Sequence, residues 1–393
     1  MTHPKEHKKH TDIAKPSYGN FNRNEWAIVG AQCSDIKSLA DEIIMALSPQ
    51  YKCAYVDAKH THESENLILP QHLKSGAVTS YTDYIQYHQF NFKKEIGDFQ
   101  LRQLFNDADM VLVNGNHFKA TSQVVVIDET KRESLKKRIE QLTNIKLILL
   151  AGNADDVFDF IKDLPSFNET PVLKLNETSQ IIDFFKTKMQ GAIPLLNGLV
   201  LAGGKSTRMG FDKATIQWHA KEQQYYIADL LKEVCETVFI SCRPGQKKDI
   251  DSNYPALEDT FTDLGPYGAI LSAFREKPDG AWLVVACDLP LLDTQTLQYL
   301  KEHRNVTAMA TAFESPYNHF PEPLITIWEP KSYPVLLSFL SQGITCPGKA
   351  LRNMHTAVLK IQHPETLTNV NTPGDFERVQ QILQTNLPLP HDK

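Results

Sequence analysis

The sequence LVLAGGKSTRMGFDKA, residues 199–214, decides the fold of the second half of the chain. An apolar strand runs directly into Gly203 and Gly204, whose missing side chains let the backbone approach a polyphosphate and donate its amides to phosphate oxygens. Arg208 and Lys213 follow, and two cations at this spacing would neutralise charge on the phosphates. The stretch therefore predicts a nucleotide-binding loop at the end of a strand.

A second segment, AWLVVACDLP at residues 281–290, places a carboxylate at the end of another apolar strand. Ligands bind at the carboxyl ends of the strands in open α/β sheets. An aspartate there, beside a polyphosphate, is suited to hold Mg²⁺. We therefore expect Asp288 to be a magnesium ligand, the alternative being a simple helix cap before Pro290.

Two more polar segments follow apolar runs. Residues 257–270, LEDTFTDLGPYGAI, contain Asp259 and a Gly-Pro-Tyr-Gly turn that ends at Gly268. Residues 368–376, TNVNTPGDF, place Asn369 and Asn371 just before a helix that Thr372 would cap. The alternatives are that Asp259 only forms a turn and that the asparagines only brace a loop.

These four segments resemble, in the same order, the motifs of the MobA family of molybdenum cofactor guanylyltransferases, with the loop L-A-G-G-x-x-x-R-M-G-x-x-K. The resemblance covers residues 195–385 and implies a Rossmann-like fold that transfers GMP from GTP to the terminal phosphate of Mo-molybdopterin, with release of pyrophosphate. It implies Arg208, Lys213 and Asp288 as catalytic residues, and Asp288 as the ligand of the Mg²⁺ cofactor. It also implies that Asn369 and Asn371 contact the acceptor or the metal. The nucleotide-binding residues that it implies are Leu201, Ala202, Gly203, Gly204, Lys213, Ser241, Asp259 and Gly268.

One departure from the family affects the choice of base. Ser241 stands in the strand VFIS where the family usually has Asn. Transfer of CMP to molybdopterin and transfer of a nucleotide to another sugar or cofactor phosphate remain alternatives, and so does a non-catalytic molybdopterin-binding adaptor. Gly203 and Gly204 argue against the cytidylyl alternative, because those relatives usually read L-A-A-G at this place.

Two stretches of the first half, YVDAKHTHESEN at residues 55–66 and ADMVLVNGNHFKA at residues 108–120, resemble motifs of the MobB family of molybdopterin-guanine dinucleotide biosynthesis adaptors, and the resemblance covers residues 25–165. A phosphate-binding Walker loop should follow the first strand, but the run VGAQCSDIKSLA puts Cys33 and Asp35 where glycines are needed and Ile36 where the lysine belongs. Asn114 replaces the acidic residue of a later motif, whereas a third motif matches at Lys59, His60 and His62. We expect a degenerate loop and an adaptor or dimerisation role.

Short apolar runs alternate with helix-like stretches in both halves, which predicts βαβ units in two tandem three-layer α/β domains. With the two resemblances, we expect an N-terminal P-loop-like domain with a degenerate loop and a C-terminal Rossmann-like nucleotidyltransferase domain. The expected division is an extended arm at 1–23, a MobB-like domain at 24–190 and a MobA-like domain at 191–393. Within the first domain, residues 129–142 (ETKRESLKKRIEQL) have the composition of one helix.

Composition excludes several classes of protein. With 393 residues, 41% of them hydrophobic, and a net charge of −6, the chain has neither the basic surface of a nucleic-acid binder nor the composition of a disordered chain. No apolar run is long enough for a membrane span, and six scattered cysteines without a C-x-x-C pair are typical of a cytoplasmic protein. The expected partners are other molybdenum cofactor biosynthesis proteins and apo-molybdoenzymes.

Overall fold

A computed structural model describes residues 20–58, 69–202, 213–370 and 372–385 of the chain. The chain divides into two compact units. One comprises residues 23–193, and the other comprises residues 194–393 with the N-terminal segment up to residue 22.

The unit at 23–193 contains a six-stranded sheet with strand order β2-β5-β1-β6-β7-β8, in which all neighbours are parallel. Apolar side chains on the two faces of this sheet belong to separate core clusters, one with α1 and α6 and the other with α4 and α5. The elements are β1 (Asn24–Val29), α1 (Cys33–Leu47), β2 (Cys53–Val56), α2 (Gln71–Lys74), β3 (Thr79–Asp83), β4 (His88–Phe92), α3 (Asp98–Leu104), β5 (Met110–Asn114), β6 (Ser122–Ile127), α4 (Arg132–Lys136), β7 (Ile145–Leu150), α5 (Asp159–Lys162), β8 (Val172–Lys174) and α6 (Thr178–Gly191).

The second unit contains a seven-stranded sheet with strand order β11-β10-β9-β12-β14-β13-β15. The strands β11, β10, β9 and β12 are parallel, whereas β14 runs antiparallel to both of its neighbours. The elements are β9 (Leu196–Leu201), α7 (Gln223–Lys232), β10 (Thr237–Cys242), β11 (Ala256–Glu258), α8 (Pro266–Glu276), β12 (Ala281–Ala286), α9 (Thr294–Glu302), β13 (Ala310–Glu314), β14 (Pro321–Trp328), α10 (Ser332–Ser341), α11 (Pro347–Arg352), β15 (Thr356–Leu359) and α12 (Pro373–Thr385).

Both faces of this second sheet are covered, which explains why its central strands are almost continuous apolar runs. Side chains alternate along each strand: Val200 and Val285 pack into a core with α7 and α9, whereas Leu199 and Val284 pack into another core with α8 and α10. All six residues of β12 are buried. The three-layer α/β class expected for both domains is confirmed.

Several local predictions can be compared with the structure. The capping prediction for α12 is confirmed, because the Asp375 amide donates to Thr372 Oγ1 (3.2 Å) and the Thr372 amide donates to Asp375 Oδ2 (3.0 Å). The single helix expected at 129–142 is wrong: the α-helical part is Arg132–Lys136, flanked by two 3₁₀ turns. The parallel strand β6, which pairs with β1, and the hairpin of β3 and β4 were not predicted from the sequence.

Among the described residues, no helix combines the length and the apolar character that a membrane crossing requires.

Candidate active site

The carboxyl ends of four parallel strands lie side by side along one edge of the second sheet. Leu201, at the end of β9, is aligned with Ser241 on β10 and with Ala286 on β12. Asp259 directly follows β11, and Asp288 follows β12 by two residues. The sheet topology therefore brings together residues that are up to 87 positions apart in the sequence.

Asp288 is half-buried at this edge, and the polypeptide around it is held by hydrogen bonds from outside the strand. The Val370 amide donates to the Asp288 carbonyl at 3.0 Å. This bond places the loop that carries Asn369 directly against the loop that carries Asp288, as the two sequence motifs require for a common site.

Residues just before and at the beginning of α7 also hold the loop that carries Asp288. The side-chain amide of Gln223 donates to the Leu289 carbonyl at 3.2 Å, and the His219 ring nitrogen Nε2 lies 2.8 Å from the Pro290 carbonyl. Gln223 is fully buried, and its Oε1 atom has no hydrogen-bond partner among the residues that the structure describes. We call residues 288–290 the Asp288 loop. Sequence analysis did not single out Gln223 or His219, and only their position shortly after the glycine loop could have suggested them.

Ser241 and Asp259 form a second pair at the same edge. The Ser241 hydroxyl donates to Asp259 Oδ1 at 2.8 Å, and the Asp259 amide donates to the Cys242 carbonyl at 2.8 Å. Burial raises the pKa of the Asp259 carboxyl to about 6, and the hydrogen bond from Ser241 opposes that rise. The Ser241 hydroxyl thus orients the Asp259 carboxyl, and a contact between this pair and the nucleotide stays a prediction.

Gly268 lies in the first turn of α8 and is buried. A Cβ atom at this position would lie only 2.1 Å from the Phe261 carbonyl oxygen, so packing alone requires glycine here. Gly265, which caps the helix, adopts φ +56°, a conformation that glycine accepts without strain. A contact between Gly268 and the nucleotide stays a prediction.

The glycine loop itself is only partly within the described residues. Ala202 follows β9 and packs against the core, whereas Gly203, Gly204, Arg208 and also Asn371 lie outside the described residues. Lys213 opens a 3₁₀ turn, Lys213–Thr215, whose Ala214 is 4% exposed in the core. The backbone leaving the loop is therefore anchored beside β9.

Asp288 is the carboxylate that we expect at the candidate magnesium site. Among the residues described, no group of three or more His, Cys, Asp or Glu could hold a metal by itself. Mg²⁺ is commonly held by one or two carboxylates together with substrate phosphates and water, so a single Asp288 at a phosphate-binding edge fits this mode.

The first unit carries the degenerate loop. Cys33 is the first residue of α1, and Asp35 is exposed in its first turn. Asn114 is fully buried at the end of β5, where its side-chain amide donates to Asp57 Oδ1 at 2.8 Å. Lys59, His60 and His62 lie outside the described residues.

Comparison with known proteins identifies the second unit. Residues 198–357 match the MobA-like NTP transferase domain. A "Probable molybdenum cofactor guanylyltransferase" of Carboxydothermus hydrogenoformans is 30% identical over 196 residues, which cover 47% of this chain and 94% of that protein. A "Molybdenum cofactor biosynthesis bifunctional protein" of Synechocystis is 35% identical over 185 residues, or 47% of this chain, and this chain spans about half (53%) of its length.

Solved structures are similar to each half. Molybdopterin-guanine dinucleotide biosynthesis protein A from Archaeoglobus fulgidus is 22% identical with a TM-score of 0.42, and the match covers 48% of this chain and 99% of that one. A MobB protein homolog from Bacillus stearothermophilus covers the N-terminal half, with 17% identity and a TM-score of 0.32 over 43% of this chain and 99% of that one.

The parallel strand ends, the glycine-loop sequence and the matched domain define the second unit as a nucleotidyltransferase. The chain belongs to the molybdenum cofactor guanylyltransferase family. The resemblance drawn from the sequence motifs of this half is thereby confirmed.

Proposed function

We propose that the protein transfers GMP from GTP to the terminal phosphate of Mo-molybdopterin, giving molybdopterin guanine dinucleotide and pyrophosphate. The hydrogen bond from the Val370 amide to the Asp288 carbonyl is the observation that carries the proposal. It joins the segment that contains Asp288 to the segment that contains Asn369 at the sheet edge where β9 also ends. The names of the relatives support the choice of guanine and of molybdopterin.

The residues assigned to the site have different roles in an in-line displacement at the α-phosphorus of GTP. The glycine-loop amides, Arg208 and Lys213 bind the phosphates of GTP, and Asp288 would hold Mg²⁺, which when bound supplies positive charge to the phosphates. Asn369 and Asn371 orient the acceptor phosphate toward the α-phosphorus. Rate enhancement then comes from positioning and charge neutralisation, without a covalent intermediate.

Base selection is assigned to the edge formed by Ser241 and Asp259. Guanine offers N–H donors on its pairing edge, and Asp259 offers carboxylate oxygens, one of which already accepts from Ser241. Cytosine presents a different set of donors and acceptors. We therefore expect GTP to be preferred even though Ser241 replaces the family's asparagine.

A competition experiment tests this function. The full chain is incubated with Mg²⁺, Mo-molybdopterin and equal GTP, CTP and ATP, and the dinucleotide products are identified by mass. We expect the guanine dinucleotide alone. A cytosine dinucleotide would assign the protein to CMP transfer, and the absence of any dinucleotide beside an active control enzyme would contradict the enzymatic function.

Two further proposals concern the role of the first unit and the compartment in which the protein works. We assign the first unit an adaptor role toward apo-molybdoenzymes or other proteins of molybdenum cofactor biosynthesis, because its Walker loop lacks the glycines and lysine that bind phosphate. This function belongs in the cytoplasm, where GTP and reduced thiols are available.

A further inference from the structure

The first unit contains a pocket of about 180 Å³ that the proposed guanylyl transfer does not use. It lies where β1 passes into α1, at the position of the degenerate loop. The residues that line it include one thiol, one imidazole and two cationic side chains: Gly30, Cys33, Asn116, His117, Lys131 and Arg138. The pocket therefore combines a nucleophile, a base and positive charge.

Cys33 and His117 have the geometry of a nucleophile with its general base. The Cys33 Sγ atom lies 3.4 Å from His117 Nε2, so the imidazole can accept the thiol proton and leave the nucleophilic thiolate. The side-chain amide of Asn116 points at the same sulfur at 3.8 Å and also donates to the Ala31 carbonyl at 3.0 Å. Arg138 holds Asn116 in turn, through a 3.1 Å bond to its carbonyl.

A helix N-terminus and two cationic side chains lie at the same pocket as this sulfur. Cys33 is the first residue of a 15-residue helix whose N-cap residue, Gln32, makes no side-chain cap bond, and a helix N-terminus attracts anions. Lys131 and Arg138 line the same pocket and are half-buried. Asp35, in the first turn of the helix, is exposed and accepts a hydrogen bond from Ser34.

The other cysteines lack this environment. Burial raises the pKa of the Cys53 and Cys242 thiols to about 11 and that of the Cys235 thiol to about 12, which keeps them protonated at neutral pH. Cys287 is buried. Cys346 is exposed on the second unit and provides a reference thiol within the same chain.

We propose that Cys33 and His117 form a thiol-exchange site for small anionic disulfides. The Cys33 thiolate attacks one sulfur of the disulfide, the S–S bond breaks, and Cys33 forms a mixed disulfide. The leaving thiolate takes the proton that His117 accepted from Cys33, so the exchange needs no other oxidant. Cys53, the only other cysteine between residues 23 and 193, donates to the Tyr51 carbonyl, so the mixed disulfide with the external thiol is the product.

Two small disulfides of similar length and opposite charge test the proposal. The reduced full chain is incubated with dithiodipropionate, which is anionic, or with cystamine, which is cationic, and the modification of each cysteine is timed by peptide mass spectrometry. We expect dithiodipropionate to modify Cys33 about tenfold faster than Cys346. Cystamine releases a more acidic thiol and so reacts faster at every cysteine, and we therefore expect the ratio of the Cys33 rate to the Cys346 rate to be about tenfold higher with dithiodipropionate than with cystamine. Equal rates at the two cysteines, or a ratio no higher with dithiodipropionate than with cystamine, would overturn the proposal.

Separate variants test the imidazole of His117 and the positive charge of Lys131. His117→Gln should slow the reaction at Cys33 about tenfold while Cys346 is unaffected. Lys131→Gln should reduce the preference for dithiodipropionate, whereas Lys136→Gln, an exposed lysine outside the pocket lining, should not. An unchanged Cys33 rate in folded His117→Gln protein would contradict the role of the imidazole. None of these outcomes depends on guanylyl transfer.

Discussion

The Asp259 carboxyl carries opposing influences that a single substitution can separate. Burial raises its pKa to about 6, and the Ser241 hydroxyl, 2.8 Å from Oδ1, lowers it by stabilising the ionised form. Ser241→Ala removes only the second influence. We expect the titration midpoint of Asp259 to move upward by about 0.5–1 pH unit. Carboxyl ¹³C NMR measures the midpoint, with Asp259→Asn identifying the resonance, and an unchanged or lower midpoint would contradict the assignment.

The same carboxyl makes stability depend on pH. The pKa of Asp259 is higher in the folded than in the unfolded protein, so ionisation of this carboxyl costs more in the folded state. The folded protein therefore loses stability as the pH rises from about 4 to about 6, and the loss persists at higher pH. Asp259→Asn removes the ionisation. We expect its stability relative to the parent protein to increase between pH 4 and pH 7, as measured by urea unfolding of the second unit. A difference that is constant with pH would disagree with this cause.

Asp288 is the residue that we propose as the Mg²⁺ ligand. Replacing it with Asn keeps the shape and removes the charge that would hold Mg²⁺. We expect dinucleotide formation to fall by a factor of about 10²–10³, while the unfolding midpoint stays close to that of the parent protein. Asp249→Asn, at an exposed aspartate on the same unit, is the matched control and should retain full activity. Equal activity in the two variants would remove the metal assignment.

At the scale of elements, α7 holds the Asp288 loop through the side chain of Gln223. Gln223→Met removes the bond to the Leu289 carbonyl and also the unpartnered Oε1, so the cost in folding stability should be small. We expect the Mg²⁺ concentration for half-maximal activity to rise about tenfold.

The neighbouring glutamine provides the control for that experiment. Gln224 is also buried, at 6% exposure, but its side-chain amide donates to Glu222 instead of to the Asp288 loop. Gln224→Met should leave the Mg²⁺ dependence unchanged, and the affinity for Mn²⁺, followed by electron paramagnetic resonance, should fall only in Gln223→Met. If both variants respond alike, α7 only stabilises the fold.

Elements whose sequence signals are local could be predicted, and elements set by distant packing could not. The apolar run ending in Asp288 and the Thr372–Asp375 cap carry their information within a few residues, and the structure has β12 and α12 there. The stretch 129–142 instead contains only a short helix between two 3₁₀ turns, although Leu135, Ile139 and Leu142 have helical spacing and all pack in the same core cluster, so the local pattern does not reveal where the helix ends. The side-chain hydrogen bond of Gln223 to Leu289 joins residues 66 positions apart, and no local pattern contains such a pairing.

At the scale of the whole molecule, each unit has its own hydrophobic cores, and this organisation predicts how the chain unfolds. Trp26 is the single tryptophan between residues 23 and 193, and its ring lies 5.0 Å from that of the fully buried Phe185. The core clusters of the second unit contain only residues after position 193. Damage to the core around Trp26 should therefore be confined to the first unit.

Phe185→Ala tests this independence, because deletion of a buried phenylalanine typically costs about 3–5 kcal/mol. We expect the unfolding transition of the first unit, seen as the Trp26 contribution to fluorescence, to move to lower denaturant by that amount. In a Trp26→Phe background, the remaining tryptophans (Trp218, Trp282 and Trp328) report the second unit alone, and its transition should not move. Dinucleotide formation should also persist under conditions in which the first unit has unfolded, since every residue assigned to the reaction follows position 193. A parallel shift of both transitions would instead mean that the two units unfold as one cooperative body. The first unit would then contribute directly to the stability of the second unit.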